Sequence, residues 1–269
     1  MNHKMKNIIY SALAVLFLTQ SASSLAENNS PIPEISDAFR FSITPYVWMA
    51  GLSGNVDYAN GKSVHTQMNA NKVLSNLSVG GMADGEVHYG RFGLMGNAVF
   101  SKLSHAGSKS YLRDDAITVD STTDAWMGIY TAAGTYTAYV DPSWYVDVLA
   151  GARFLNMNSK IQLNMTLNPV HYTAGKTLYS QLSSTDAIGG VKGRYRVVES
   201  NFYIPFYVDA GGGSSVAKFT SQQALGIGYA FSYADISLVY NNLYYSMSND
   251  KASSYINMSG PALGVTFKF

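Results

Sequence analysis

Tyr145-Val-Asp-Val-Leu-Ala-Gly-Ala-Arg-Phe154 decides the fold. Val146, Val148, Ala150, Ala152 and Phe154 share one parity, and Tyr145, Asp147, Leu149, Gly151 and Arg153 share the other. Successive side chains of a strand point to opposite faces, so this run is a strand with one apolar face backed by small or polar residues. The pattern recurs along the chain. Phe39, Phe41, Ile43, Val47 and Met49 alternate with Arg40, Ser42, Thr44 and Tyr46. Phe92, Leu94, Ala98 and Phe100 alternate with Gly93, Met95, Asn97 and Val99. Further runs follow at Ile204–Val208, Leu225–Phe231 and Leu263–Phe269, and no amphipathic helix interrupts them after Ala38.

A soluble β-sandwich also alternates, and two features weigh against it. The runs reach ten residues or more, beyond the ~5–6 usual for soluble strands. The breaks between them are also unequal. Tight turns at Tyr89-Gly90-Arg91, Asp141-Pro142-Ser143, Glu199-Ser200-Asn201 and Tyr233-Ala234-Asp235 alternate with polar stretches at 51–76, 104–124, 157–184, 214–222 and 247–254. Short turns at one end and long loops at the other mark a transmembrane barrel, whose closure leaves no unpaired strand edge in lipid.

The expected fold is therefore all-β: a closed antiparallel transmembrane β-barrel with short periplasmic turns and longer extracellular loops. Ten strands are expected, at 39–50, 77–88, 92–103, 125–140, 144–156, 186–198, 202–213, 223–232, 236–246 and 256–269; eight is the alternative. Within 236–246 the apolar parity changes between Tyr240 and Leu243, which predicts a bulge or a rise above the bilayer. The stretch 51–76 could extend as a hairpin above the membrane.

Composition agrees. Charged residues are 13% of the 269, against ~25% in soluble domains. Mean hydropathy is nevertheless near zero, which excludes a bundle of membrane helices. Disorder is excluded too, because it needs low hydrophobicity and high charge. The net charge of +1 gives no reason to expect nucleic acid as a partner.

The one long apolar run, Ile8–Leu18, follows Lys4 and Lys6 and precedes Ser24-Leu25-Ala26. That is the form of a cleavable secretory signal peptide over 1–26, too short for the ~20 residues of a spanning helix. An uncleaved membrane anchor is the alternative. Residues 27–38, with Pro31 and Pro33, read as a flexible periplasmic lead-in to a barrel over 39–269. There is no cysteine, so no disulfide holds this exported chain together.

Trp48, Trp126, Trp144, Tyr46, Tyr89, Tyr195, Phe202, Tyr233 and Tyr244 fall near expected strand ends, where a barrel carries its aromatic girdles against outer-membrane lipid. The C-terminus, with Gly264, Phe267 and a final Phe269, resembles the signal read by the barrel-assembly machinery, although its polar position is taken by Ala262. Phe39-Arg-Phe-Ser-Ile-Thr-Pro45-Tyr-Val-Trp48-Met-Ala-Gly51-Leu-Ser-Gly54, Gly190-Val-Lys-Gly193-Arg-Tyr195, Val208-Asp-Ala-Gly-Gly-Gly213-Ser214, Leu225-Gly-Ile-Gly-Tyr229-Ala-Phe231 and the Ser259–Phe269 end resemble segments of a family of largely uncharacterised Gram-negative outer-membrane β-barrel proteins. The resemblance implies the fold and an outer-membrane location, and no site residues. Where such proteins tend to carry a further aromatic and acid, this chain has Ser215-Val216-Ala217-Lys218.

With the apolar faces on lipid, the lumen receives Arg40, Asp84, Glu86, His88, Asn97, Asp147, Arg153, Lys192, Arg194, Arg196 and Asp209. Charges on the lipid face cost roughly 2–4 kcal/mol near the midplane, which explains their sorting onto one side. The signs nearly balance. Two readings follow: a structural filling of paired charges in a narrow, monomeric barrel, or a porin-like small-solute channel or receptor lined by them. An enzyme acting on lipid or peptide is the alternative, with His65, His105 or His171 in outer loops, or His88, as its base. No spacing for a metal or a phosphate loop is present, so no cofactor is expected and the chain is read as no enzyme.

Overall fold

The computed structural model describes residues 30–58, 63–111, 117–167, 172–198, 200–213, 217–248 and 252–269. In chain order its elements are β1 (Arg40–Trp48), β2 (Gly51–Tyr58), β3 (Ser63–Met68), a one-and-a-half-turn helix α1 (Ala70–Ser75), β4 (Leu77–Tyr89), β5 (Phe92–Tyr111), β6 (Ile117–Val140), β7 (Trp144–Leu167), β8 (Tyr172–Arg196), β9 (Phe202–Gly212), β10 (Ala217–Ala230), β11 (Ala234–Ser248) and β12 (Ala252–Lys268). The barrel runs β1-β4-β5-β6-β7-β8-β9-β10-β11-β12 and closes by pairing β12 with β1, ten strands, all antiparallel. The closing seam is finished by a reciprocal pair of backbone hydrogen bonds between Phe41 and Phe269. The remaining two strands form the hairpin in 51–76: β2 continues from β1 along the upper part of β12, and β3 folds back on it.

The outer face explains where the membrane lies. Along β7 the outward residues run Trp144, Val146, Val148, Ala150, Ala152 and Phe154, then change to Asn156, Asn158 and Lys160. Along β12 they run Phe267, Val265, Leu263 and Pro261, then Ser259 and Asn257. An apolar run of about ten residues per strand matches a tilted bilayer crossing.

Strands β5 to β8 do not stop at that level. The 25 residues of β8 extend about 80 Å at ~3.3 Å per residue, roughly 60 Å in height once tilted by about 40°, against an apolar band of ~25 Å. The stretches 104–124 and 157–184, expected as loops, are therefore mostly strand, and so are parts of 214–222 and 247–254. Ser, Thr, Asn and Lys on both faces look like a loop in sequence. A sheet standing in water tolerates them because its backbone groups are paired along the ladder.

The expected bulge in 236–246 is absent. β11 pairs with β12 without a slip from Ala234 to Ser248, and with β10 from Ala230 to Phe219. The parity of the apolar residues changes because Leu243, Tyr245 and Met247 are buried inside the barrel, while Ile236, Leu238 and Tyr240 face out.

Inter-strand packing also uses glycine as a seat for aromatic rings. A Cβ on Gly228 would lie 2.2 Å from the Tyr203 ring, so that ring packs flat against the inner surface of β10. The β4–β5 turn passes through Gly90 at φ +57°, a conformation that suits glycine.

Candidate functional site

The lumen is filled in layers, which the contacts order from the periplasmic end upward. The first layer includes residues that precede β1. Pro31 and Ile32 are buried, the Pro31 carbonyl accepts a 3.3 Å bond from Arg194 Nη1, and the Ser36 carbonyl accepts the Gly90 amide at 2.8 Å. Within the lead-in, Pro31 and Ile32 thus lie inside the barrel mouth, while Glu34, Asp37 and Ala38 are exposed. Arg194 also donates to Asp235 at 2.7 Å and lies 4.8 Å from the Tyr203 ring centre; Lys268 bonds the other oxygen of Asp235 at 2.8 Å.

The next layer joins β1, β4, β6, β7 and β8. Lys192 Nζ lies 2.5 Å from Glu86, and Glu86 also bonds the His88 ring at 3.2 Å. Tyr145 bridges Thr137 at 3.0 Å and the His88 ring at 3.5 Å. Asp147 is fully buried, with Lys192 3.8 Å away as its ion-pair partner. A small apolar patch of Met95, Ala133, Leu149 and Ile188 lies in the same wall.

Above it, Arg153 spans the lumen. Fully buried, it bonds both oxygens of Asp209 and donates to Gln222 Oε1 at 2.8 Å and Thr220 Oγ1 at 3.2 Å. The Tyr207 hydroxyl and the Gln222 amide also donate to Asp209, and Gln222 reaches on to Asn241 at 3.1 Å. On the facing wall Asn97 donates to Asp84 at 2.6 Å and to the Tyr46 hydroxyl at 2.8 Å. A planar guanidinium held by a carboxylate at both nitrogens is the strongest polar contact this lumen contains.

The top layer is apolar. Trp48, Val99, Ile129, Leu155, Leu243, Tyr245, Met247 and Met258 form one buried cluster, with Met82, Met127 and Met157 packed against it. Trp48 donates its indole N–H to the Gly260 carbonyl at 3.2 Å. At its edge Asp186, fully buried, accepts from Ser184 at 2.9 Å.

Ten of the eleven sequence candidates therefore enter these networks or border them, Arg40 standing opposite His88 in the β1–β4 register. Arg196 does not join them. Its Nε donates to the Ser200 carbonyl at 2.8 Å, so it fastens the β8–β9 turn. Sequence reading missed Asp186, Asp235 and Lys268. Parity could have found Asp186, which lies six residues from Lys192 on the same face; Asp235 was masked by its place in a turn. With these three added and Arg196 set aside, six acids stand with five Arg and Lys.

Two of the expected girdle aromatics point the other way. Tyr46 and Trp48 lie inside, on the parity of Arg40, because β1 carries its lipid face on Phe41, Ile43 and Val47. Tyr89, Trp144, Tyr195, Phe202 and Tyr233 are at the periplasmic end of the outer face, where Trp144 packs on Tyr195 (4.6 Å between ring centres) and Phe202 on Tyr229 (4.9 Å). Trp126 and Tyr244 are outward at the upper edge, Tyr244 against Phe219 and Tyr255. Phe269 is exposed, Phe267 is on the outer face and Gly264 faces inward under Thr44 and Tyr46.

Of the histidines weighed as bases, His105 Nδ1 is bonded to the Asn76 side chain at 2.8 Å, and His65 is exposed opposite Asn55 on the β2–β3 hairpin. His171 lies outside the described residues.

No protein-family model and no curated protein matches the chain. Among solved structures it is similar to the outer membrane protease OmpT from Escherichia coli, at 8% identity over 89% of this chain and 100% of that one, with a TM-score of 0.49. It is similar to the translocator domain of the autotransporter NalP from Neisseria meningitidis at 8% identity, covering 98% of each chain, TM-score 0.41. The attachment invasion locus protein Ail of Yersinia pestis follows at 10% identity, 87% of this chain and 100% of that one, TM-score 0.31. Protease, translocator and attachment protein share little beyond strands closed into a barrel, and no activity passes from them to this chain.

Proposed function

We propose that this chain is a monomeric outer-membrane barrel that conducts no ions and acts as a small-solute receptor through the strand wall above its membrane band. The observation that carries this is the filled lumen: a fully buried Arg153–Asp209 layer lies directly beneath an apolar layer built on Trp48, Leu155 and Leu243. An ion would have to displace both a bidentate ion pair and a packed apolar plug, and narrow barrels are filled by their own side chains. The wall of β5 to β8 and the β2–β3 hairpin, by contrast, present polar groups to water on both faces. Export by the 1–26 signal peptide and assembly through Phe269 complete the reading.

Planar-bilayer recording on the purified protein tests it. Silence is expected, and silence also after charge reversal at Lys192 or Arg194. Reproducible conductance steps in the wild type, altered by either reversal, would establish the channel reading instead. N-terminal sequencing of the mature protein should begin at Glu27.

A further inference from the structure

The lipid-facing surface near the periplasmic girdle is not smooth. Two furrows, of about 630 and 620 Å³, lie side by side on it, and Val87 and Leu94 line both as the ridge between them. One is bounded by Phe39, Tyr89, Phe92 and Tyr136 and reaches Gly134. The other is bounded by Phe41, Ile43 and Phe269 and reaches Gly85 and Gly96. Missing side chains make the hollows: a Cβ on Gly85, Gly96 or Gly134 would meet nothing closer than 3.9 Å. These glycines are not forced by close backbone approach, unlike Gly151, whose Cβ would lie 2.1 Å from the Ala132 carbonyl oxygen. At the periplasmic end stands Arg91, exposed in the β4–β5 turn between Tyr89 and Phe92. Its Nη1 donates to the Thr137 carbonyl at 2.9 Å, one residue along the chain from Tyr136, and Arg91 itself precedes Phe92, both of which line the first furrow. That bond uses one of five N–H donors. The acid of the neighbouring β6–β7 turn, Asp141, is occupied by Tyr139, Ser143 and Trp144.

We propose that the paired furrows seat the two acyl chains of one anionic phospholipid of the periplasmic leaflet, with its phosphate on Arg91. The inference rests on the reading of the chain as a membrane barrel. Two apolar hollows that share the Val87–Leu94 ridge fit two chains joined at one headgroup. A cation at the aqueous end fits the phosphate, since Arg binds phosphate through charge-assisted bonds.

Native mass spectrometry with stepwise detergent release, using dioleoyl phosphatidylglycerol and dioleoyl phosphatidylethanolamine as probes, tests this. The wild type should retain one phosphatidylglycerol in preference to phosphatidylethanolamine. Arg91→Gln should lower that retention about tenfold, the ratio that about 1.4 kcal/mol produces, and Arg91→Lys should restore part of it. Gly134→Leu, whose Cβ would lie 3.9 Å from the Ala150 carbonyl oxygen and whose side chain would project into the furrow, should lower retention of both lipids. Equal retention of the two lipids, or retention unchanged in Arg91→Gln, overturns the headgroup assignment; retention unchanged in Gly134→Leu overturns the furrow. Heat-shifted gel mobility of the same samples checks the barrel separately, and its absence in the wild type would sink both readings together.

Discussion

Replacing Arg153 by methionine removes the guanidinium and leaves the Asp209 carboxylate buried, with only the Tyr207 hydroxyl and the Gln222 amide as donors. Both Arg153 and Asp209 side chains are fully shielded from solvent. Breaking one side of such a pair costs about 3–5 kcal/mol, because the surviving charge keeps its desolvation penalty and loses its partner. Gln222 and Thr220 lose a donor as well, which argues for the upper part of that range. At a guanidinium slope of roughly 5 kcal/mol/M for a chain of this size, the unfolding midpoint should fall by roughly 0.6–1 M. The assay is reversible unfolding in lipid vesicles, followed by the fluorescence of Trp48, Trp126 and Trp144. The double variant Arg153→Met/Asp209→Leu is the control. Removing both charges takes away the stranded carboxylate, so it should cost roughly 1–3 kcal/mol, less than the single change. A single variant costing under about 1 kcal/mol, or a double variant costing the sum of the two singles, would refute the idea that this layer is a dry, tightly coupled pair.

Trp48→Ala should destabilise by about 3–5 kcal/mol in the same assay, since it empties the apolar layer and frees the Gly260 carbonyl; a girdle tryptophan such as Trp144 should cost clearly less when changed to Phe. Asp141 gives a pH signature outside the membrane. The Tyr139 hydroxyl, then the Ser143 and Trp144 amides, hold its carboxyl below the usual range. A carboxyl lowered on folding contributes stability above its unfolded value and loses it as pH falls through the folded one. The gap between wild type and Asp141→Asn, present at neutral pH, should therefore close in acid below the carboxylate range; a gap independent of pH would contradict it. Deleting Phe269 removes one half of the reciprocal pair with Phe41 at the seam and should sharply reduce the heat-shifted, membrane-inserted fraction on gels. Unchanged assembly would show that the terminal aromatic is dispensable.

Period-two alternation over some ten residues, with tight turns at alternate ends, was enough to point to a closed barrel of about ten crossings and to the inward face of most of them. That is because lipid enforces a single rule on every crossing: apolar side chains out, charges in. The same rule placed Asp147, Arg153, Lys192 and Asp209 inside without any knowledge of their partners. The rule lapses above the bilayer, so the strand wall of β5 to β8 was invisible as strand. Inside the barrel no solvent dictates polarity either, and there Leu243, Tyr245 and Met247 could follow a parity that looked like a defect, while Trp48 could pass for a girdle residue. Only the closed barrel, which brings β1 and β4 to β12 around one axis, decides that Arg153 meets Asp209 and that Pro31 lies against Arg194. Pairing across a barrel depends on strand order and shear, which bring together residues 56 or 163 positions apart, and no local pattern encodes those distances.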